Sequence, residues 1–599
     1  MNTSPVLIFT ERTTMTLDSI RLFVTTPVSE DASLTRNGWF WLSLVCALGF
    51  SIPALRESVS AAYVIQDDTR QHVFWMQRFL DPELFPNDLI ADYFQSVAPP
   101  GYALLYRGLA LIGISPLFAS KLLPPVLALG LTGFGFAVCL RLFPVPFAAF
   151  LSTFLLNQNL WMKDDLVSAT PRAFFYPLFL AFWYFLTRHS TVGCTFSILV
   201  QGLFYPPAVL LSAGMLLLSL WKWRQGKITF SGDGFVWVGL IAAGLVLGMY
   251  AFQTSRFGPF VSLAQARTWP EFGPLGRTAF FLKSPTAFWL WGERSGCFPM
   301  EWKQVPFPPP HILTAVWLPI LLVLQRWNSH FAELNKLSLD LGKFLLSSIG
   351  FFLLAHMMLF HLYLPSRFSQ HSWRIATAFA AGIVLVSLMD TGLRWASQVP
   401  AARLKTGGVG LVIVCCLGII SLYPLWLNRK IEGFYPRTRY VTGGEPALYR
   451  FLAAQPKSIV VASLTEEANN LPIFAQRSIL VGRESGIPYH TGYYNQFRTR
   501  TQALIQAHYT PDPVKLRDFI LAYRIDYFLI DRKAFQPLAI DLNPWAQQFQ
   551  PAANEARLNL QSGKQPVLAR MTDSCTVFES NQLRLIDARK ILNQLAHKE

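Results

Sequence analysis

Gln66-Asp67-Asp68-Thr69-Arg70 stands just behind the first apolar run of membrane length, 38–55, and sets how the rest of the chain reads. The segment from Arg56 to Ala98 carries seven acids (Glu57, Asp67, Asp68, Asp81, Glu83, Asp88, Asp92) against Arg56, Arg70 and Arg78. Short cytoplasmic loops gather Lys and Arg, so an acid-rich loop beside an apolar span belongs on the non-cytoplasmic face. A carboxylate pair held there can act on a lipid-borne substrate, although a merely solvated loop aspartate is the commoner case.

Working outward, the composition agrees with a membrane protein. Of 599 residues, 52% are hydrophobic and 14% charged, with a mean hydropathy of +0.33. Soluble domains carry about 25% charged residues, so most of this surface must face lipid. The net charge of +16 does not form a nucleic-acid-binding stripe. Lys222, Arg224 and Lys227, then Arg326, Lys336 and Lys343, then Arg394, Arg403 and Lys405 each separate two apolar runs, the positive-inside pattern. Seven cysteines show no CxxC and no His/Cys ligand spacing, which speaks against a zinc site. Residues 1–36 are polar, and no small-residue cleavage site follows the first apolar run, so it reads as a retained anchor.

Further runs of crossing length lie at 119–142, 145–160, 173–188, 191–221, 235–252, 311–326, 341–364, 374–392 and 408–427. Tyr205-Pro206-Pro207 interrupts 191–221, because two prolines break the helical ladder, and the run splits into two short spans. About eleven crossings result, with juxtamembrane helices between them. Segment 101–118 either spans or lies along the interface with Arg107 snorkelling. Lying flat leaves Arg141 and Arg188 cytoplasmic and brings Asp164-Asp165 out beside the first acidic loop, the layout that charge favours.

The chain thus divides into a cytoplasmic tail at 1–36, a membrane region at 37–428 with outer loops 56–118, 161–172 and 253–310, and an extracytoplasmic segment at 429–599. In the last, the apolar runs 458–463, 478–481 and 527–531 read as buried strands, and 446–455 and 512–524 as helices. This alternation predicts a small α/β domain of about 170 residues, large enough for its own core. The expected fold is a mainly α, polytopic transmembrane helix bundle with that domain attached.

Four clusters on the expected outer face carry chemistry. They are Asp67-Asp68 with Arg70 and His72; Asp164-Asp165 followed by Pro171-Arg172; the aromatic and proline-rich loop 267–310 with Arg267, Trp269, Glu271, Trp291, Glu293, Arg294, Glu301 and Trp302; and the boundary from His361 through Arg367 and His371 to Arg374. A carboxylate can accept a proton from an attacking hydroxyl or share a divalent ion, and an arginine at the same depth can fork onto a phosphate. Tryptophans suit sugar faces and the membrane interface alike. Against these stand plainer readings: Arg367 and Arg374 as headgroup anchors, His361 and His371 as structural histidines, Glu293 and Arg294 as solvated loop residues.

In the order of these features the chain resembles the GT-C superfamily of membrane glycosyltransferases that use polyprenyl-phosphate sugars. Asp67-Asp68, then Asp92-Tyr93-Phe94 and Pro99-Pro100-Gly101-Tyr102, is similar to the acidic first outer loop of its protein O-mannosyltransferase and lipid A aminoarabinose transferase branches. Leu364-Pro365-Ser366-Arg367-Phe368 resembles the Pro-x-Arg-Tyr element of many members, with Phe368 in place of tyrosine. The resemblance implies Asp67 or Asp68 as the catalytic base, Asp164 or Asp165 as the second acidic position, and Arg367, with Arg172 or Arg374, on the donor phosphate. It implies further that Asp67 and Asp164 could share a divalent cation, Mg or Mn, as cofactor. The implied partners are membrane lipid, a polyprenyl-phosphate sugar and an acceptor glycan, lipid or protein, with no nucleic acid, in a bacterial inner membrane. No Trp-Trp-Asp signature is present, which argues against transfer to asparagine. A lipid-linked-sugar transporter, or a non-catalytic protein of envelope polysaccharide assembly, are the competing readings.

Overall fold

The computed structural model describes residues 17–27, 33–224, 227–324, 331–397 and 402–597. Most of the expected tail 1–36 and Arg326 of the second basic cluster lie outside the described residues.

The chain opens with α1 (Leu17–Thr25) and the long α2 (Ser33–Ser58), followed by strand β1 (Val64–Gln66) and the short α3 (Thr69–His72). After α4 (Leu89–Val97) and α5 (Pro100–Leu111) the bundle continues with α6 (Pro116–Leu142), α7 (Pro146–Leu160), α8 (Phe175–Thr187), α9 (Thr191–Phe204) and α10 (Pro207–Ser219). A hairpin of β2 (Trp221–Arg224) and β3 (Lys227–Phe230) leads to α11 (Gly234–Phe252). Beyond the loop region come α12 (Phe331–Met357), α13 (Ser366–Ser397) and α14 (Ala402–Lys430).

Among the described residues, six helices are long and apolar enough to cross a membrane, those within α2, α6, α11, α12, α13 and α14. The other expected crossings differ in length. α7, α8, α9 and α10 have 15, 13, 14 and 13 residues, about 20 Å each against a hydrocarbon core of about 30 Å. The break at Tyr205-Pro206 falls where the prolines predicted it, and Gln201 ties the two halves by accepting from Ser212 Oγ at 2.8 Å. α5, the ambiguous segment, has 12 residues, about 18 Å, too short to span. It buries Tyr102 and Tyr106 on one face and exposes Leu104 and Leu111 on the other.

α13 is the axis of the bundle, with 83% of its most apolar window buried, whereas the corresponding figure for α14 is 17%. α14 therefore offers Leu411, Val414, Ile419 and Leu422 to lipid. Without a hydrophobic force between helices in lipid, close approach relies on small residues. At Gly382 of α13 an added Cβ would stand 2.4 Å from both the backbone N and Oγ of Ser152 on α7. One end of α13 carries Arg367, His371 and Arg374; near the other, Asp390 accepts from Arg21 Nε of α1 at 2.8 Å and pairs with Arg394.

The C-terminal region is an α/β domain with a five-stranded sheet. β4 (Tyr440–Thr442) precedes it and pairs antiparallel with β1, Gln66 opposite Tyr440. The sheet contains β5 (Val460–Ser463), β6 (Ser478–Ile479), β7 (Tyr527–Asp531), β8 (Thr576–Glu579) and β9 (Leu583–Asp587), in the order β6-β5-β7-β9-β8. β5 runs parallel to β6 and β7, while β9 is antiparallel to β7 and β8. The strands expected from the three apolar runs are β5, β6 and β7, and the expected helices are Pro446–Ala453 and Pro513–Tyr523. Asp512 caps the latter through Val514 N, and Arg524 ends it in the left-handed region at φ 52°. The β8–β9 hairpin and the helix Thr491–Tyr509 were not anticipated, because Thr and Glu dilute the first and Asn, Gln and Arg the second.

Candidate active site

The acidic pair owes its position to the β1–β4 ladder. Directly after β1, Asp67 N donates to Arg439 O at 3.1 Å, and Asp68 N donates to Gln66 Oε1 at 2.8 Å. The two carboxylates then diverge. Asp67 pairs with Arg70 of its own segment, whereas Asp68 reaches across to Arg172 Nη2.

Arg172 joins the two acidic loops. Beyond Asp68, its Nη2 stands 3.1 Å from Asp164 Oδ2 and its Nε 3.5 Å from Asp165 Oδ1. Asp164 also faces Lys163 at 3.1 Å and Arg439 at 3.7 Å, and Lys163 bridges on to Glu293 at 2.9 Å. Deeper still, Asp165 accepts from Arg374 Nη1 at 3.2 Å and from Tyr176 at 3.1 Å, with His371 Nδ1 3.4 Å away. Arg374 is itself gripped by Glu301 through Nε at 2.8 Å and Nη2 at 2.6 Å. Arg367 Nη1 comes only to 3.9 Å of Asp165.

Burial separates the four aspartates into two kinds. The side chains of Asp67 and Asp68 retain 25% and 23% of their exposure, those of Asp164 and Asp165 only 2% and 0%. Burial pushes Asp67 above the usual carboxylate range, and nearby Glu484 adds to this against the opposing pull of Arg70. Burial would also raise Asp164, but Lys163, Arg172 and Arg439 outweigh it and hold this carboxyl well below its ordinary value. Asp165 is likewise lowered, its desolvation overcome by Arg172, Arg374, His371 and Arg367. Lys163 is the main cause that holds Glu293 well down. Asp164, Asp165 and Glu293 are thus fixed anions that orient cations.

The structure therefore brings Asp67, Asp68, Asp164, Asp165, Arg172, Arg367 and Arg374 into one network. Two expectations change in it. Glu293 is no solvated loop residue but a partner of Lys163, and Arg374 is 1% exposed and committed to Glu301, so it is neither a headgroup anchor nor open to a donor phosphate. His371 is a buried structural histidine against Tyr176 OH at 2.7 Å. Phe368 is fully buried against Phe351. Of the tryptophans, Trp302 donates to Asn159 Oδ1 at 3.2 Å, and Trp269 packs on Tyr494 with centroids 5.0 Å apart.

Several residues of the network gave no sequence signal. Arg439 lies between the membrane region and the C-terminal domain, in the left-handed region at φ 50°, a conformation a non-glycine residue keeps only when its surroundings impose it. Glu484 and Asn470 come from the C-terminal domain. Asn470 Oδ1 accepts from Arg70 at 3.1 Å, while Glu484 accepts from Gln71 at 3.0 Å and from Arg277 at 2.5 Å.

The donor set does not suit a resident divalent ion. Among the described residues no three His, Cys, Asp or Glu gather as ligands, and a guanidinium or ammonium already faces each of the four aspartates. A cation shared by Asp67 and Asp164 would have to displace Arg70 and compete with Lys163, Arg172 and Arg439.

The chain is an integral membrane protein, a polytopic helical bundle with an acidic and arginine-lined end beneath a small α/β domain. No protein-family profile matches the sequence, and no curated protein matches it. Among solved structures, the apo oligosaccharyltransferase of Archaeoglobus fulgidus superposes with a TM-score of 0.50 at 11% identity, over 88% of this chain and 73% of that one. The same enzyme tethered to an acceptor peptide gives 0.48 at 11% identity, over 88% and 72%. Its complex with an inhibitory peptide and a dolichol-phosphate gives 0.43 at 11% identity, over 88% and 73%. At this identity the likeness is one of fold.

Proposed function

We propose that the protein is a glycosyltransferase that moves one sugar from a polyprenyl-phosphate donor to an acceptor hydroxyl on the extracytoplasmic face, with inversion at the anomeric carbon. One observation carries this reading: Arg172 ties an accessible acid pair, Asp67-Asp68, to a buried one, Asp164-Asp165, so that bases and guanidiniums meet at one end of α13. The setting we assign is a bacterial inner membrane, with 429–599 outside the cytoplasm.

In this mechanism Asp67 is the base. Its raised proton affinity makes it a better acceptor near neutral pH than a free carboxylate. As the acceptor oxygen bonds to the anomeric carbon, its proton passes to Asp67, and the bond from that carbon to the phosphate oxygen breaks. The lipid phosphate leaves with the bonding pair. Arg367, which is held less tightly than Arg374, stabilises the developing charge. Asp68 keeps Arg172 aimed at the same space, and Asp164 and Asp165 fix the far side of that guanidinium. No step needs a metal ion, in keeping with a donor set already neutralised by arginine and lysine.

The transporter reading finds less support. Transporters place ionisable groups near mid-span, whereas α13 collects its charges towards its two ends, Arg367 to Arg374 and Asp390 to Arg394. The test is transfer of radiolabelled sugar from a polyprenyl-phosphate donor by purified protein in detergent or nanodiscs. Asp67→Asn should reduce the chemical step by about 10²–10⁴-fold, the usual weight of a general base. Transfer at the wild-type rate by this variant would refute the assignment.

A further inference from the structure

The loops that follow the parallel strands β5 and β6 descend onto the acid pair. The loop after β5 brings Asn470 to Arg70, and the loop after β6 brings Glu484. In open α/β sheets the crevice at the carboxyl ends of parallel strands is where such domains act on ligands. Here that crevice is closed by the membrane region and meets Asp67.

Glu484 is buried and tightly specified. Its backbone N donates to Asn469 Oδ1 at 3.0 Å, its Oε2 accepts from Gln71 and Arg277, and its Oε1 stands 3.9 Å from Arg70 Nη2. That same Arg70 nitrogen pairs with Asp67. Two carboxylates therefore face one guanidinium, and Arg277 pairs with the second of them, Glu484, from the other side. Among the described residues Arg277 Nε and Arg70 Nε have no hydrogen-bond partner, so neither guanidinium is saturated.

From this geometry we infer that Glu484 is a positioning residue for the catalytic base, through which the C-terminal domain sets the orientation of Asp67 by way of their shared Arg70, with Arg277 as its counterweight. This rests on the reading of Asp67 as base, and it goes beyond it by making the domain a working part of the site. The charged groups facing Asp67 are Asp68 and Arg70 from its own segment and Glu484 from the C-terminal domain, with Arg277 behind Glu484. Their signs predict opposite effects. Glu484→Gln removes a negative charge and lowers the proton affinity of Asp67. Arg277→Met leaves Glu484 uncompensated, draws Arg70 away and raises that affinity. The double variant falls between the two.

Two measurements separate this inference from the reading beneath it. The first needs no substrate: infrared titration of the protonated-carboxyl band that Asp67→Asn removes. Its midpoint should move down in Glu484→Gln, up in Arg277→Met, and back towards wild type in the double variant and in Glu484→Asp. The second is the pH profile of kcat for transfer, whose acid limb should shift in the same order, with KM for the donor changing less than threefold. A merely structural Glu484 would lower the amount of folded protein and leave both midpoints in place. Unmoved midpoints, or shifts of one sign in both single variants, overturn the inference. An inactive wild type with the opposed infrared shifts intact would sink the function and leave the Glu484–Asp67 linkage standing.

Discussion

Asp67 and Asp165 are separated by their surroundings rather than by their chemistry, and substitution should expose the difference. Asp165→Asn removes the fully buried carboxylate that holds Arg172, Arg374 and Tyr176. Breaking a buried ion pair from one side costs about 3–5 kcal/mol, so this variant should melt well below wild type or fail to accumulate. Asp67→Asn, at a partly exposed position, should keep a Tm close to wild type while losing transfer. Paired thermal melts and assays check this, and equal Tm losses in both variants would contradict it. The pH dependence follows from the same pattern. Asp164, Asp165 and Glu293 have lowered proton affinities, so their stabilising contribution is present above the unfolded carboxylate range of about 4 and is lost only as pH falls through their lower native values. Asp67 is raised, and as the proposed base it would have to be deprotonated to act, so transfer should fade on acidification while the fold persists. Circular dichroism recorded alongside activity tests the order of the two losses. Because each aspartate already faces a guanidinium or ammonium, chelation by EDTA should leave initial rates unchanged, and restoration of a lost rate by Mg or Mn would count against the cation-free mechanism.

Among the elements, α13 carries the site at one end and the pairing with α1 at the other. It runs close against α7 at Gly382, where an added Cβ would meet Ser152. Gly382→Leu would force the two helices apart, and overpacking of this kind costs about 1–3 kcal/mol. The expected result is a lower Tm together with a reduced kcat, because Arg367 and Arg374 ride on the displaced helix. Normal melting and transfer in that variant would show that α7 and α13 tolerate separation. How legible the elements were in the sequence depended on what marks them. Hydropathy located the long helices, and Tyr205-Pro206-Pro207 located the break between α9 and α10. Charge put the Asp164-Asp165 loop on the same side as Asp67-Asp68, and Arg172 joins the two loops there. Side-chain commitments were not legible. Nothing in the run from Arg367 to Arg374 says that Arg374 turns inward to Glu301 while Arg367 stays freer, because that choice is made by a loop about 70 residues distant in sequence.

At the level of the whole molecule, the sequence suggested two separable parts, a membrane region to 428 and a domain beyond it. The alternation of apolar runs revealed the α/β character of the second part. It could not reveal that β4 would pair with β1, or that Arg439, Asn470 and Glu484 would enter the acid cluster, since long-range pairing leaves no local pattern. Val441→Pro removes a main-chain N–H from the two-stranded ladder and should be poorly tolerated there. We expect transfer to fall at least tenfold, while the helical content by circular dichroism and the melting of the bundle remain near wild type. Unchanged transfer would mean that the ladder does not hold Asp67.

The pairing of Val64–Gln66 with Tyr440–Thr442 also has a consequence for biosynthesis. Ribosomes deliver the first of these segments long before the second, after most of the spans have been inserted. Until Tyr440–Thr442 emerges, Asp67 lacks the carbonyl that anchors its backbone, and Asp164 lacks the guanidinium that Arg439 supplies. On the proposed reading, a nascent or prematurely terminated chain should therefore be embedded in the bilayer yet inert, with competence for transfer arriving as a late checkpoint of assembly.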